Sequence, residues 1–169
     1  VILLTAHRRE NWGEPMKNIF AAVREVAEQN KDVQIIFPMH KNPLIRDLAR
    51  ESFKGIEHKV ALIEPLEYVD FANLMNKCYL IMTDSGGIQE EAPALGKPVV
   101  VLRTETERPE AVKAGTVKLA GVERNKIFEI TNELVIDDLE YHKMAHAINP
   151  YGDGKACERI VELIVKHFE

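Results

Sequence analysis

Most of the motifs that assign a function at sight are missing from this chain. It carries no phosphate loop of the GxxxxGK[ST] type, no GxSxG elbow, no complete GxGxxG and no Cys/His cluster at zinc spacing. Those absences set aside a P-loop NTPase, a serine hydrolase, a typical NAD dehydrogenase and a zinc enzyme. No cofactor is expected. Cysteine is scarce: Cys78 and Cys157 stand alone, which excludes a disulfide scaffold and predicts two buried, reduced thiols in a cytoplasmic protein. No apolar run approaches the ~20 residues that cross a bilayer. The opening VILLTAHRRE has the wrong flanks for a signal peptide, so no membrane partner is expected. Positive charge is not in excess either. A net charge of −5 argues against a general binder of nucleic acid or of anionic membranes, while leaving room for a local basic patch. Repeats, low-complexity segments and linkers are absent, so residues 1–169 read as one domain. An initiator methionine is lacking too. The chain opens directly in a strand-like run, which predicts a piece of a longer protein whose upstream part is missing, although an ordinary processed N-terminus has the same look.

What is present alternates strand and helix. Val1 to Ala6, Val33 to Phe37, Val60 to Ile63, Tyr79 to Thr83, Pro98 to Leu102 and Thr116 to Leu119 are short apolar runs of the kind that fill buried parallel strands. Between them lie helical patterns. Pro15 to Lys31 carries Met16, Ile19, Phe20, Val23 and Val26 on one face; Asn42-Pro43 opens a helix that runs through Phe53 and stops at Gly55. Tyr68 to Lys77, a helix from the Ser85 region through Ala92, a short one from Pro109 to Ala114, and Glu123 to Ile136, Asp138 to Ala147 and Gly154 to Phe168 complete the set. No hairpin signal interrupts this order. The pattern predicts an α/β fold, a doubly wound parallel sheet (Rossmann-like) with right-handed crossovers. Gly152-Asp153-Gly154 marks a turn or a hinge before the last helix.

Chemistry is concentrated from Tyr79 to Glu110. The apolar run stops at Asp84-Ser85-Gly86-Gly87, where a helix can begin with Ser85 as N-cap. Two glycines let another group approach the backbone, and the first helical amides then form an anion cradle suited to phosphate. Glu91 falls about one turn beyond Gly87, within reach of ribose hydroxyls. Arg108, in the loop after the next strand, is the phosphate partner. Capping alone also explains a strand-SGG-helix junction, but it does not explain Gln89, Glu90, Arg103 and Glu107 crowded alongside.

Three further groups carry two readings each. His7-Arg8-Arg9-Glu10 follows the first strand. It is either a hydrogen-bonding or proton-carrying His7 beside the Ser85 turn, or a surface basic cluster paired with Glu10 and Glu14. His40 and Lys41, after the second strand, reach the same crevice or cap the following helix. Phe71 borders a base or joins Val69, Leu74 and Met75 in the core. His58, His142, His146 and His167 show no partner by spacing and read as exposed.

Five motifs taken in order, TAHRREN at Thr5, FPMHKNP at Phe37, TDSGGIQEEAP at Thr83, TERPE at Thr106 and NPYGDG at Asn149, resemble the non-hydrolysing UDP-N-acetylglucosamine 2-epimerases. The resemblance runs nearly end to end and covers only the C-terminal, nucleotide-binding half of that family's glycosyltransferase-B architecture. It implies that Ser85, Gly86 and Gly87 hold a diphosphate, that Glu91 binds ribose and that Phe71 lies at uracil. Arg108 and His7 then line the diphosphate and sugar side, as the residues closest to the chemistry. Arg8 and His40 match positions where some bacterial relatives hold a second substrate molecule as activator. The implied partners are UDP and a UDP-N-acetylhexosamine, the absent N-terminal domain, and a second subunit in a homodimer. The implied reaction interconverts UDP-N-acetylglucosamine and UDP-N-acetylmannosamine by elimination and re-addition of UDP. The sugar-handling carboxylates belong to the absent half, so the isolated chain is expected to be inactive. Two other readings stay open: the nucleotide-sugar half of a glycosyltransferase, and a UDP-sugar-binding module without catalysis.

Overall fold

A computed structural model describes residues 1–168. The strands are β1 (Ile2–Thr5), β2 (Ile35–Pro38), β3 (Val60–Ile63), β4 (Leu80–Thr83), β5 (Val99–Val101) and β6 (Val117–Leu119). The helices are α1 (Glu14–Gln29), α2 (Pro43–Ser52), α3 (Tyr68–Lys77), α4 (Gly86–Ala94), α5 (Pro109–Ala114), α6 (Arg124–Ile136), α7 (Asp138–Ala145) and α8 (Ala156–Phe168). A single 3-10 turn, Arg9–Asn11, joins β1 to α1. The six strands form one parallel sheet in the order β3-β2-β1-β4-β5-β6. This is the doubly wound arrangement expected from the alternation of strand and helix.

Period-two alternation along each strand divides the core between the two faces of the sheet. Ile2, Leu4, Ile35, Phe37, Leu80, Met82, Val100 and Leu102 point to the side covered by α1, α2 and α6. Leu3, Ile81, Val99 and Val101 point to the other, beneath α3, α4 and α5. On the first side, the apolar stripe predicted for α1 is fully buried, with Phe20 packed between Phe37 (5.5 Å between ring centroids) and Phe53 (5.3 Å). Each such ring contributes about 1.5–3 kcal/mol by leaving water. Because both faces of the central strands are covered, those strands are mostly apolar and their polar chemistry is pushed to the ends.

One expectation needs correction here. Cys78 is buried, and burial pushes its thiol up to about 11, but Cys157 is exposed on α8. The reason is that, among the described residues, none of α8 is buried: Ile160, Val161, Leu163, Ile164 and Val165 are each at least half exposed, although their spacing makes an amphipathic helix. The chain reaches α8 through a turn with Gly152 and Gly154 at positive φ, closed by a bidentate Arg159–Asp153 pair (2.7 and 2.8 Å). Among the described residues, no helix is long and apolar enough to cross a membrane.

Candidate functional site

Strand order reverses between β1 and β4, and in open parallel sheets the carboxyl ends of the two strands there frame the ligand crevice. The loop after β1 holds His7 and Arg8; the loop after β4 holds Asp84 and Ser85 and leads straight into Gly86. β1 and β4 are in register from Ile2↔Leu80 to Thr5↔Thr83. The two threonine hydroxyls meet at 2.6 Å, and Thr83 Oγ1 accepts from the Ser85 amide at 3.0 Å. The strand ends are therefore tied before either loop begins.

α4 starts at Gly86, with Ser85 in the N-cap position as expected. The Ser85 side chain, however, makes no cap hydrogen bond. Among the described residues, nothing outside the helix accepts from the Gly86 or Gly87 amides. These donors, with the positive end of the helix, face the crevice. Neither glycine has a positive φ, so the backbone does not demand them. Space does. A Cβ on Gly86 would lie 3.6 Å from Arg8 Nη2 and 3.9 Å from Arg108 Nη2, in the gap between two guanidiniums. One on Gly87 would lie 3.7 Å from Glu91 Oε1 and 4.0 Å from Ser85 Oγ. Arg8, Gly86 and Arg108 thus form one group, and Ser85, Gly87 and Glu91 the adjoining one.

Both arginines are held by acids. Arg108 Nε donates to Glu90 and its Nη1 to the Glu107 carbonyl (3.1 Å), leaving Nη2 directed at Gly86. The hydrogen bond to Glu90 raises the Arg108 pKa further. Its backbone is fixed by Thr106 Oγ1, which donates in turn to buried Gln89 of α4 (2.5 Å). Arg8 lies 4.0 Å from Glu107, and Glu107 forms a bidentate pair with Arg103 (2.5 and 2.9 Å). That hydrogen bonding holds the Glu107 carboxyl down to about 2. Arg103, 8% exposed, also donates to Glu10 at 2.7 Å. The expected surface cluster of His7, Arg8 and Arg9 with Glu10 and Glu14 is therefore not formed: Glu10 reaches across to Arg103, and Glu14 pairs with Lys17. Local sequence spacing could not show a partner 93 residues away.

The other end of the crevice is apolar. A cavity of about 360 Å³ is lined by Thr5, His7, Met39, His40, Phe71 and Ile88 among others. Phe71 is half-buried, bordering this cavity while packing on the second core, so both readings of it hold in part. Val69, proposed as its core neighbour, is 70% exposed. The His7 and His40 rings lie 5.8 Å apart, and His40 Nδ1 accepts from the Asn42 amide at 3.1 Å. His40 thus supports the start of α2, where Asn42 is the N-cap. Arg8 and His40 both line a neighbouring groove of about 400 Å³ with His7, Arg9, Trp12 and Asn42. Glu91 accepts from the exposed Tyr68 hydroxyl at 3.2 Å, and this bond raises the Tyr68 pKa.

Two contributors carry no signal in the sequence. Glu90 was one acid in a crowded stretch, with no signal that it faces Arg108 while Glu91 faces Gly87. Asp84 was read only as the end of a strand. It is fully buried, and its Oδ2 accepts from the amides of His7 (2.9 Å) and Arg8 (2.8 Å) and from Asn11 Nδ2 (3.1 Å). Among the described residues, no group of three His, Cys, Asp or Glu side chains is placed to hold a metal ion.

Sheet order and crevice together define a doubly wound α/β domain with two glycines, two guanidiniums and the start of α4 at its switch point. Comparison with known proteins makes this specific. The chain belongs to the UDP-N-acetylglucosamine 2-epimerase family, whose profile matches residues 1–165. It is 55% identical over 168 residues to the UDP-N-acetylglucosamine 2-epimerase of Bacillus subtilis, covering 99% of this chain and 44% of that protein. Among solved structures it resembles the S. aureus MnaA–UDP co-structure at a TM-score of 0.93 and 52% identity, covering 99% of this chain and 46% of the other. The C-terminal domain of a glycosyl transferase group 1 protein from Francisella tularensis shares the fold alone, at a TM-score of 0.71 and 14% identity over 89% of this chain and 81% of that one. The chain spans less than half the length of the curated relatives it matches.

Proposed function

We propose that this chain is the UDP-binding half of an enzyme that interconverts UDP-N-acetylglucosamine and UDP-N-acetylmannosamine. The observation that carries the reading is the gap at Gly86: two guanidinium Nη2 atoms converge on a glycine whose φ does not require one, beside unengaged helix-terminal amides. In this reading Ser85, Gly86 and Gly87 hold the diphosphate through backbone amides. Arg108 neutralises it, Glu91 accepts from the ribose hydroxyls, and Phe71 borders the uracil in the apolar cavity. His7, between that cavity and the Arg8 groove, faces the sugar side.

The chemistry asked of this half is stabilisation of the leaving group. Elimination removes a sugar proton and breaks the bond between the anomeric carbon and the diphosphate oxygen, giving a glycal and UDP; re-addition on the other face gives the epimer. Charge grows on the departing diphosphate, where preorganised amides and a guanidinium act most strongly. The carboxylates that exchange the sugar proton come from an N-terminal half. The apolar stripe of α8, uncovered here, is a surface for such a further part. The full enzyme works as a cytoplasmic homodimer, and the groove at Arg8 and His40 takes a second substrate molecule as activator.

Calorimetric titration of this chain with UDP tests the binding role, with Glu91→Ala beside it. UDP binds the parent chain and binds the variant more weakly; equal affinities remove Glu91 from the ribose site. Neither form turns over UDP-N-acetylglucosamine, whereas the full-length protein converts it with no acceptor present. Dependence on an acceptor would instead mark a glycosyltransferase.

A further inference from the structure

We infer that Asp84 is a positioning residue that sets the distance between the two halves of the diphosphate cradle; the inference rests on the UDP reading above. Asp84 is the residue between β4 and the N-cap of α4, so its backbone belongs to the glycine side of the crevice. Its side chain belongs to the other side. One carboxylate oxygen, Oδ2, takes the amides of both His7 and Arg8, at 2.9 and 2.8 Å, and the Asn11 amide at 3.1 Å. Asn11 Nδ2 also reaches the Leu102 carbonyl at the end of β5 (3.1 Å), and the Asp84 amide donates to the Thr5 carbonyl (3.2 Å). Three strand ends are thereby joined around one buried residue and its Asn11 neighbour.

The geometry this controls is the gap over Gly86. Arg8 Nη2 reaches it from the β1 loop, and binding sites of this kind work within about 0.5 Å of their productive geometry. Charge-assisted bonds from main-chain amides are short and roughly twice as strong as neutral ones. Asp84 is also a negative charge beneath an anion site, which opposes binding if it acts directly on the ligand. The two roles predict opposite signs for the same substitution. As a clamp, neutralising Asp84 loosens the diphosphate; as a field source, neutralising it tightens the diphosphate. The second oxygen, Oδ1, is buried without a hydrogen-bond partner, so Asp84→Asn can keep an acceptor on the three donors and lose no other contact.

The test is titration of the parent chain and Asp84→Asn with UDP and with uridine, which lacks the phosphates, at one ionic strength. The clamp predicts UDP weakened by about tenfold in the variant, with uridine unchanged within error. Unchanged or tighter UDP binding by the variant overturns it, as does a loss shared equally by UDP and uridine, which reports general damage to the domain. A parent chain that ignores UDP refutes the functional reading itself. In that case, or if the variant does not fold, hydrogen exchange on the parent chain decides whether the clamp exists. His7 and Arg8 amides protected well beyond an exposed loop support it; free exchange at both overturns it.

Discussion

Gly86→Ala separates a glycine kept for a ligand from one kept for the fold. In the free protein the added methyl would sit 3.6 Å from Arg8 Nη2 and 3.9 Å from Arg108 Nη2, ordinary van der Waals separations with no clash. Gly86 is the first residue of α4 and its φ is negative, so alanine fits the backbone. Alanine is the better helix former by up to about 1 kcal/mol. The variant is therefore as stable as the parent or slightly more so, a rise in Tm of at most about 4 °C for a domain of this size. Binding moves the other way. The methyl occupies the approach of an anion to the amides and both guanidiniums, and each charge-assisted hydrogen bond lost costs about 1.5–3 kcal/mol. UDP affinity falls by about tenfold to a hundredfold. Thermal melts and calorimetry on the same samples read both quantities. A lower Tm with unchanged UDP affinity refutes the reasoning, because the glycine would then serve the fold.

Two further outcomes follow from the charges and thiols. Glu107 is held down to about 2 by Arg103, so its contribution to stability is full above the usual carboxylate value of 4.5 and is lost as pH falls from there towards about 2. Glu107→Gln flattens the acid limb of stability in that window, measured by denaturant melts across pH; an unchanged acid limb contradicts the pairing. A thiol reagent at neutral pH modifies Cys157 in the native protein and leaves Cys78, buried and raised to about 11, until unfolding. Immediate modification of both thiols contradicts the burial of Cys78.

The sheet was legible because both of its faces are covered. Strands lying between two covered faces had to be mostly apolar, and the helices on those faces had to show a stripe, so position in the sequence reported position in the fold. The doubly wound class came with it, since alternation without hairpins leaves few topologies, whereas the order β3-β2-β1-β4-β5-β6 is read from the structure. The start of α4 at Ser85, Gly86 and Gly87 was legible too, because an N-cap candidate and two glycines follow directly on an apolar strand. Long-range pairing was not legible. Asp84 acts on residues 76 and 77 positions earlier, and Glu10 pairs with Arg103 rather than with its neighbours. Glu90 and Glu91 are adjacent in the chain but turn to different partners, Arg108 and the Gly87 side, because successive helical residues diverge by about 100°. Cys157 was misjudged because an amphipathic pattern predicts an apolar face without saying that this chain contains its cover.

One crevice, at the β1 and β4 strand ends, is the site proposed for a nucleoside diphosphate. Backbone amide spectra of the isotope-labelled chain, recorded while UDP is added, are its sharpest test. Saturable shifts are expected, greatest at Ser85, Gly86 and Gly87, with companions at His7, Arg8, Phe71, Glu91 and Arg108. Shifts confined to another surface, or none as UDP is raised to millimolar concentration, would contradict it.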